Sequence, residues 1–259
     1  MDFSLETYFS WDWTLLLLGI FGGLLAGIIN TISGSGSLVT LSLLINFFNV
    51  PGDIANGTNR IGILIHGIKS SRSFRKKGQL NFEDNWKVIL FCLTGAIGGI
   101  FCALYTSPQG FNNALGIIFS ILLLILIFEP QKHLKQNKKI VKFIPWLMLP
   151  IGFYGGFIQV ATGIFLLTVL HILSGKPLKE MNPLKVFIIM LFNIPALIIF
   201  AINEKVNWEL GIALAIGQYV GAIIGVRINS TSKNIEPFLK FLLISLVAIS
   251  IAKFWGFWD

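Results

Sequence analysis

The chain has 259 residues, 54% of them hydrophobic and 12% charged, with a formal charge of +8 and a mean hydropathy of +0.78. Soluble domains carry about 25% charged residues, so this composition excludes a soluble globular protein and describes an integral membrane protein. Lipid offers nothing to unpaired backbone groups, and the apolar runs are long and do not alternate, so the spans are expected to be helices.

A bilayer core of about 30 Å takes about 20 apolar residues per crossing. Apolar runs between charged or turn-rich breaks give the segments 13–32, 35–48, 54–76, 86–106, 111–128, 140–161, 163–174, 183–202, 208–228 and 237–256. Segments 35–48 and 163–174 are too short to span comfortably. Each follows a longer segment after a Gly-bearing break, Ser33-Gly34-Ser35-Gly36 and Thr162-Gly163, and each pair reads as a broken-helix hairpin. No basic stretch or small-residue cleavage site precedes the first run, so no cleavable signal is expected. Cys92 and Cys102 lie about 280° apart around one predicted helix and read as packing residues rather than a disulfide or ligand pair. Gly95-x-x-x-Gly99 and Gly217-x-x-x-Gly221-x-x-x-Gly225 read as close helix contacts.

No lysine or arginine precedes Arg60. Basic clusters then fall at Lys69 to Lys87, Lys132 to Lys142, Lys176 to Lys185 and Arg227 to Lys240, placing 17 of the 20 cations on one side if the segments alternate from an outside start. That bias marks the cytoplasmic face, with both termini extracytoplasmic. Cations confined to short loops act as topology signals, so no nucleic-acid partner is expected.

The two hairpins align at a constant offset of 129 residues: Gly23, Ala26, Gly27, Asn30, Ser33 and Gly34 match Gly152, Gly155, Gly156, Gln159, Thr162 and Gly163. The chain therefore reads as an N-terminal membrane repeat, 1–130, a basic cytoplasmic linker, 131–138, and a C-terminal membrane repeat, 139–259. An odd number of segments per repeat inverts the second relative to the first. The expected fold is all-α: a polytopic membrane protein of two inverted repeats, each a broken-helix hairpin plus three membrane helices. Such architectures hold a substrate near the midplane, at half-helix ends.

The break residues carry the candidate chemistry. Helix N-termini favour anions; Ser33, Ser35 and Ser37 add hydroxyls, while Gly34 and Gly36 let backbone approach an oxyanion. Asn30, Gln159, Thr162 and Gly163 supply the matching polar groups. Arg60, after Thr58 and Asn59, and Lys185, after Asn182-Pro183-Leu184, stand just past the hairpin of their own half. A cation within a span is costly unless it snorkels, pairs or lines a polar cavity, so this pair reads as anion ligands, against interfacial snorkelling. No Asp or Glu falls centrally in any span, which disfavours a carboxylate proton relay. The lack of clustered carboxylate, His or Cys ligands argues against a membrane hydrolase or metal enzyme, and no cofactor is expected. His66 and His171, the histidines inside apolar runs, read as packed neutral residues, with proton coupling through His66 the lesser reading.

Gly23-Leu-Leu-Ala26-Gly27-Ile-Ile-Asn30 with Ser33-Gly34-Ser35-Gly36, then Ala55-Asn56-Gly57-Thr58-Asn59-Arg60 ahead of the basic Phe74-Arg75-Lys76-Lys77-Gly78 loop, resembles the TauE/SafE permease family, the sulfite exporter and toluene sulfonate uptake group. The likeness extends through Gly152-Phe153-Tyr154-Gly155-Gly156-Phe157 to Gly217-Gln218-Tyr219-Val220-Gly221-Ala222. It implies eight or so membrane helices in two related halves, a bacterial cytoplasmic membrane, and small sulfur-containing anions as substrates. The family commonly has Thr-Lys where this chain has Leu184-Lys185, and Gly-Pro-Gly-Thr-Gly where it has Val160-Ala161-Thr162-Gly163; these departures keep the cation and remove a hydroxyl. The expected function is a secondary transporter of a small oxyanion, not an enzyme. Its alternatives are an anion channel and a nontransporting membrane subunit. Transport direction, coupling ion and homo-oligomerisation are left open by the sequence.

Overall fold

A computed structural model describes residues 13–81, 85–128, 144–230 and 236–254. The expected linker 131–138 and the cluster Lys132 to Lys142 lie outside the described residues. All regular structure within them is helical: α1 Trp13–Ile32, α2 Ser37–Ser42 with a π-helical continuation Leu43–Phe47, α3 Gly52–Lys76, α4 Trp86–Tyr105, α5 Pro108–Phe128, α6 Ile144–Phe157, α7 Thr162–Ser174, α8 Leu178–Ile202, α9 Trp208–Ser230 and α10 Glu236–Phe254.

The segments expected from sequence are all present, with shifted ends. The run beginning at residue 183 is a helix from Leu178: Pro177, in extended geometry, precedes the first turn and Pro183 is carried inside the helix. Lys185 therefore sits two turns inside α8 rather than at its start. Pro51 plays the same part before α3, which begins at Gly52 rather than residue 54. The sixth run ends early, at Phe157, and residues 158–161 form the break.

Helices α1, α4, α5, α8 and α9 are long and apolar enough to cross a membrane. Their exposed side chains include Leu17, Phe21, Phe101, Leu124, Ile198 and Ile216, which suit contact with lipid chains. Helix α3 is as long as α8, at 25 residues, yet buries Asn56, Thr58, Asn59, Arg60, His66, Ser70 and Ser71. It can do so because α2, α5, α8 and α9 pack around it, so its polar side chains meet protein instead of lipid.

Small residues set the closest approaches. Helix α1 packs on α9, and α4 on α6. A methyl group added at Gly217 would fall on the Ile20 carbonyl, at Gly23 on the Leu214 carbonyl, at Gly99 on the Phe153 carbonyl and at Gly156 on the Ala96 carbonyl. The Gly-x-x-x-Gly spacings are thus helix contacts in both pairs. Cys92 is buried and Cys102 exposed, both as free thiols.

Two sets of contacts tie the ends together. At one end Lys205 pairs with Asp53 at 2.7 Å, and the Asn207 N–H donates to Thr58 Oγ1 at 2.9 Å. At the other, Lys77 Nζ donates to Ser230 Oγ at 2.8 Å, and Asn182 Nδ2 to Asn229 Oδ1 at 2.6 Å. The second end gathers the basic C-terminus of α3, the N-terminus of α8 and Arg227 of α9.

Candidate functional site

The two hairpin breaks meet at the centre of the protein. Gly34, at φ +82°, lies against Gly163 so closely that a Cβ on Gly34 would stand 2.5 Å from the Gly163 Cα. No side chain larger than hydrogen fits at this crossing. Ala161, in the left-handed region at φ 51°, turns the chain into α7 without a side-chain cap. Ser37 braces the turn: its hydroxyl donates to the Gln159 carbonyl and accepts from the Ala161 N–H, each at 2.9 Å. Tyr154 Oη donates to the Val160 carbonyl at 2.6 Å.

Each break leaves the carbonyl end of a helix inside the protein, where unpaired C=O groups and the negative end of the helix dipole favour a cation. Lys185 serves α1: Nζ donates to the carbonyls of Asn30 at 2.7 Å and Thr31 at 3.3 Å, and to Asn182 Oδ1 at 2.9 Å. Arg60 serves α6: Nη1 donates to the Gly155 carbonyl at 2.9 Å and Nη2 to the Gly156 carbonyl at 2.8 Å, with Asn56 Oδ1 at 3.4 Å from Nη2. Its guanidinium also stands 5.4 Å from the Phe200 ring centroid. Both cations are fully buried. Carbonyl and amide oxygens hold the two of them, whereas Asp53, Glu180, Glu204 and Glu209 lie at helix ends. Among the described residues, the two buried positive charges therefore stand without a carboxylate beside them.

Beside the breaks is a narrow cavity lined by Asn30, Gly34, Ser37, Gln159, Thr162 and Gly163, together with Ile63, His66, Val186 and Ile189. The space open to the centre of a water molecule is about 10 Å³, room for about one water. Three polar atoms of its lining residues are buried without a hydrogen-bond partner: Asn30 Nδ2, Gln159 Oε1 and Thr162 Oγ1. Buried polar groups are nearly always paired, and here three unpaired ones belong to residues of a single lining. A wider groove of about 710 Å³ lies between the starts of α3 and α5, and none of the described residues lining it is ionisable.

The expected site residues divide between the cavity and its supports. Asn30, Gly34, Ser37, Gln159, Thr162 and Gly163 line it. Arg60 and Lys185 stand behind it, on the backbone that forms its walls. Ser33 and Ser35 bond each other at 2.7 Å, and Gly36 packs on the Ala26 carbonyl. Asn59 accepts from Thr40 Oγ1 at 2.6 Å. Thr58 lies at the Lys205 end, holding the start of α9. Sequence reading missed His66 as a lining residue, and Asn56 and Asn182 as partners of the cations. An Asn one helical turn before a cation in an apolar run was the available signal for the last two.

A polar cavity between interrupted helices, flanked by buried cations in an apolar multi-pass bundle, fits the class of membrane transporters. The chain belongs to the sulfite exporter TauE/SafE family, whose family model matches residues 19–254. It is similar to the probable membrane transporter protein YfcA of Escherichia coli K12, 26% identical over 245 residues covering 92% of this chain and 89% of the relative. It is also similar to the probable membrane transporter proteins ORF9 of Sinorhizobium sp., 25% identical over 86% of this chain and 87% of the relative, and of Haemophilus influenzae, 23% identical over 87% of this chain and 90% of the relative. No solved structure matches the chain.

Proposed function

We propose that the protein is a secondary transporter of a small oxyanion, a sulfite, sulfonate or other organosulfur anion, working by alternating access in a bacterial cytoplasmic membrane. The observation that carries this reading is the pair Arg60 and Lys185, fully buried and held by neutral oxygens. Buried charge is expensive without a counter-charge, and an anion entering the cavity supplies one. Arg60 and Lys185 offset its desolvation, while the unpaired Asn30 Nδ2 and Thr162 Oγ1 can donate hydrogen bonds to it.

The contacts also support two inverted repeats, 1–130 and 139–259. Gly34 and Gly163, equivalent at the 129-residue offset, touch each other. The cation of each half serves the broken helix of the other, with an Asn of its own helix as co-ligand. Helix α1 packs on α9 and α6 on α4, so each broken helix also leans on the fourth helix of the opposite half. Parting the breaks is then a movement of the α1–α9 pair against the α4–α6 pair, each built from both halves. The one-water cavity favours such a carrier over an open pore.

The test is exchange in proteoliposomes: labelled sulfite or methanesulfonate inside, unlabelled anion outside. Saturable exchange with trans-stimulation, lost in Lys185→Gln, is expected. Flux without trans-stimulation would instead mean a channel, and no flux of any oxyanion would overturn the reading.

A further inference from the structure

His66 is the ionisable side chain that lines the cavity, and it is 3% exposed. Its Nε2 lies 2.8 Å from Thr31 Oγ1 and 3.3 Å from Ser70 Oγ. Thr31 Oγ1 also lies 2.9 Å from the Gly27 carbonyl, to which it donates. A hydroxyl has one proton to give, so both Thr31 contacts are made together when Nε2 carries a hydrogen and donates it to Thr31. The ring is then neutral, with Nδ1 able to take a second proton. The same Thr31 supplies a carbonyl to Lys185. One residue at the carbonyl end of α1 thus joins the imidazole, the buried ammonium and the broken helix.

The surrounding charges leave few alternatives for carrying a proton. Helices α1 and α2 contribute no ionisable side chain. Helix α8 contributes Lys185, with Lys179 and Glu180 in its first turn; α3 itself contributes Arg60 and Lys69, with Asp53 in its first turn and Arg72, Arg75 and Lys76 toward its C-terminus; α9 carries Glu209 and Arg227 near its two ends and Tyr219 between them. Tyr154 of α6 is engaged with Val160, and His171 of α7 lies at the far end of its helix, against the Lys176 carbonyl at 2.7 Å. No carboxylate is among the residues lining the cavity.

We propose that His66 is the proton-carrying residue of the transport cycle, so that each oxyanion crosses together with a proton. This rests on the transporter reading above. A proton on His66 and an anion among Asn30, Gln159 and Thr162 attract each other in one water-poor cavity, and each therefore promotes binding of the other, as linkage requires. The loaded cavity gains no net charge from a monoanion and a proton, so the reorientation that moves them does not work against the membrane potential.

The experiment uses proteoliposomes of the full chain, as wild type, His66→Gln, His66→Asn and Thr31→Val, with the membrane potential clamped. Exchange first shows which of sulfite, sulfate and methanesulfonate is carried, and gradient-driven uptake is then measured with that anion. A tenfold inward proton gradient is expected to drive about tenfold accumulation at one proton per monoanion. Both His66 variants are expected to lose the response to the proton gradient, and any exchange they retain is expected to be independent of pH. Thr31→Val, which removes the Nε2 partner, is expected to shift the pH of half-maximal uptake. Three results would overturn the proposal while leaving the transporter standing: equal gradient responses in wild type and His66 variants, a sodium gradient replacing the proton gradient, or an unshifted pH profile in Thr31→Val. Absence of exchange of every probe by the wild type would instead sink the transporter reading itself.

Discussion

Arg60 and Lys185 differ in how they hold a helix end, and the difference follows from side-chain shape. The guanidinium fork spans two consecutive carbonyls, Gly155 and Gly156, a geometry that a point-like ammonium cannot copy. Arg60→Lys is therefore expected to lose one charge-assisted bond, worth about 1.5–3 kcal/mol, and to lower the melting temperature in detergent; an unchanged melting curve would show that the fork does not hold α6. Lys185→Arg places a larger group where Asn30, Thr31 and Asn182 converge on one nitrogen, and its anion exchange is expected to fall at least tenfold. By contrast Lys205 is about a third exposed in its pair with Asp53, and Lys205→Ala is expected to cost less than about 1 kcal/mol, read from the same melting curves.

Among the elements, glycine separates positions that look alike in sequence. Gly98 and Gly99 are neighbours on α4, yet a methyl group at Gly98 meets the Phe153 ring at an ordinary 3.6 Å, whereas one at Gly99 falls on the Phe153 carbonyl. Gly99→Ala should force α4 and α6 apart and reduce the yield of monodisperse protein, and Gly98→Ala should behave as wild type. Equal tolerance of both would mean that α4 and α6 can separate without loss. The break is stricter still: an alanine at Gly163 would press on the Gly34 backbone, so that Gly163→Ala is expected to abolish exchange even where the protein still folds.

For the whole molecule, the distribution of basic side chains carries an orientation. The end holding Arg72, Arg75, Lys76 and Lys77 of α3, the start of α8 and Arg227 is expected to be cytoplasmic, and the end holding Lys205 and Glu204 external. In a chain with Cys92 and Cys102 replaced by alanine, Glu204→Cys should react with a membrane-impermeant maleimide in intact cells, and Arg75→Cys only after lysis. The reverse pattern would invert the topology.

Helix positions, the two breaks and the special standing of Arg60 and Lys185 were legible in the chain because each is a local property. Twenty apolar residues in lipid become a helix wherever they occur, glycine marks a break by its own conformational range, and a cation in an apolar run needs an explanation whatever surrounds it. Helix starts at Gly52 and Leu178 were less legible, since Pro183 reads as a boundary until packing carries the helix through it. What only the tertiary structure decided was partnership across the halves: that Lys185 reaches α1 and Arg60 reaches α6, that Gly34 meets Gly163, that Thr58 turns away to α9, and that His66, one polar residue among many on α3, borders the cavity. These are contacts between residues up to 155 positions apart, and no local pattern encodes which distant surface a side chain will meet.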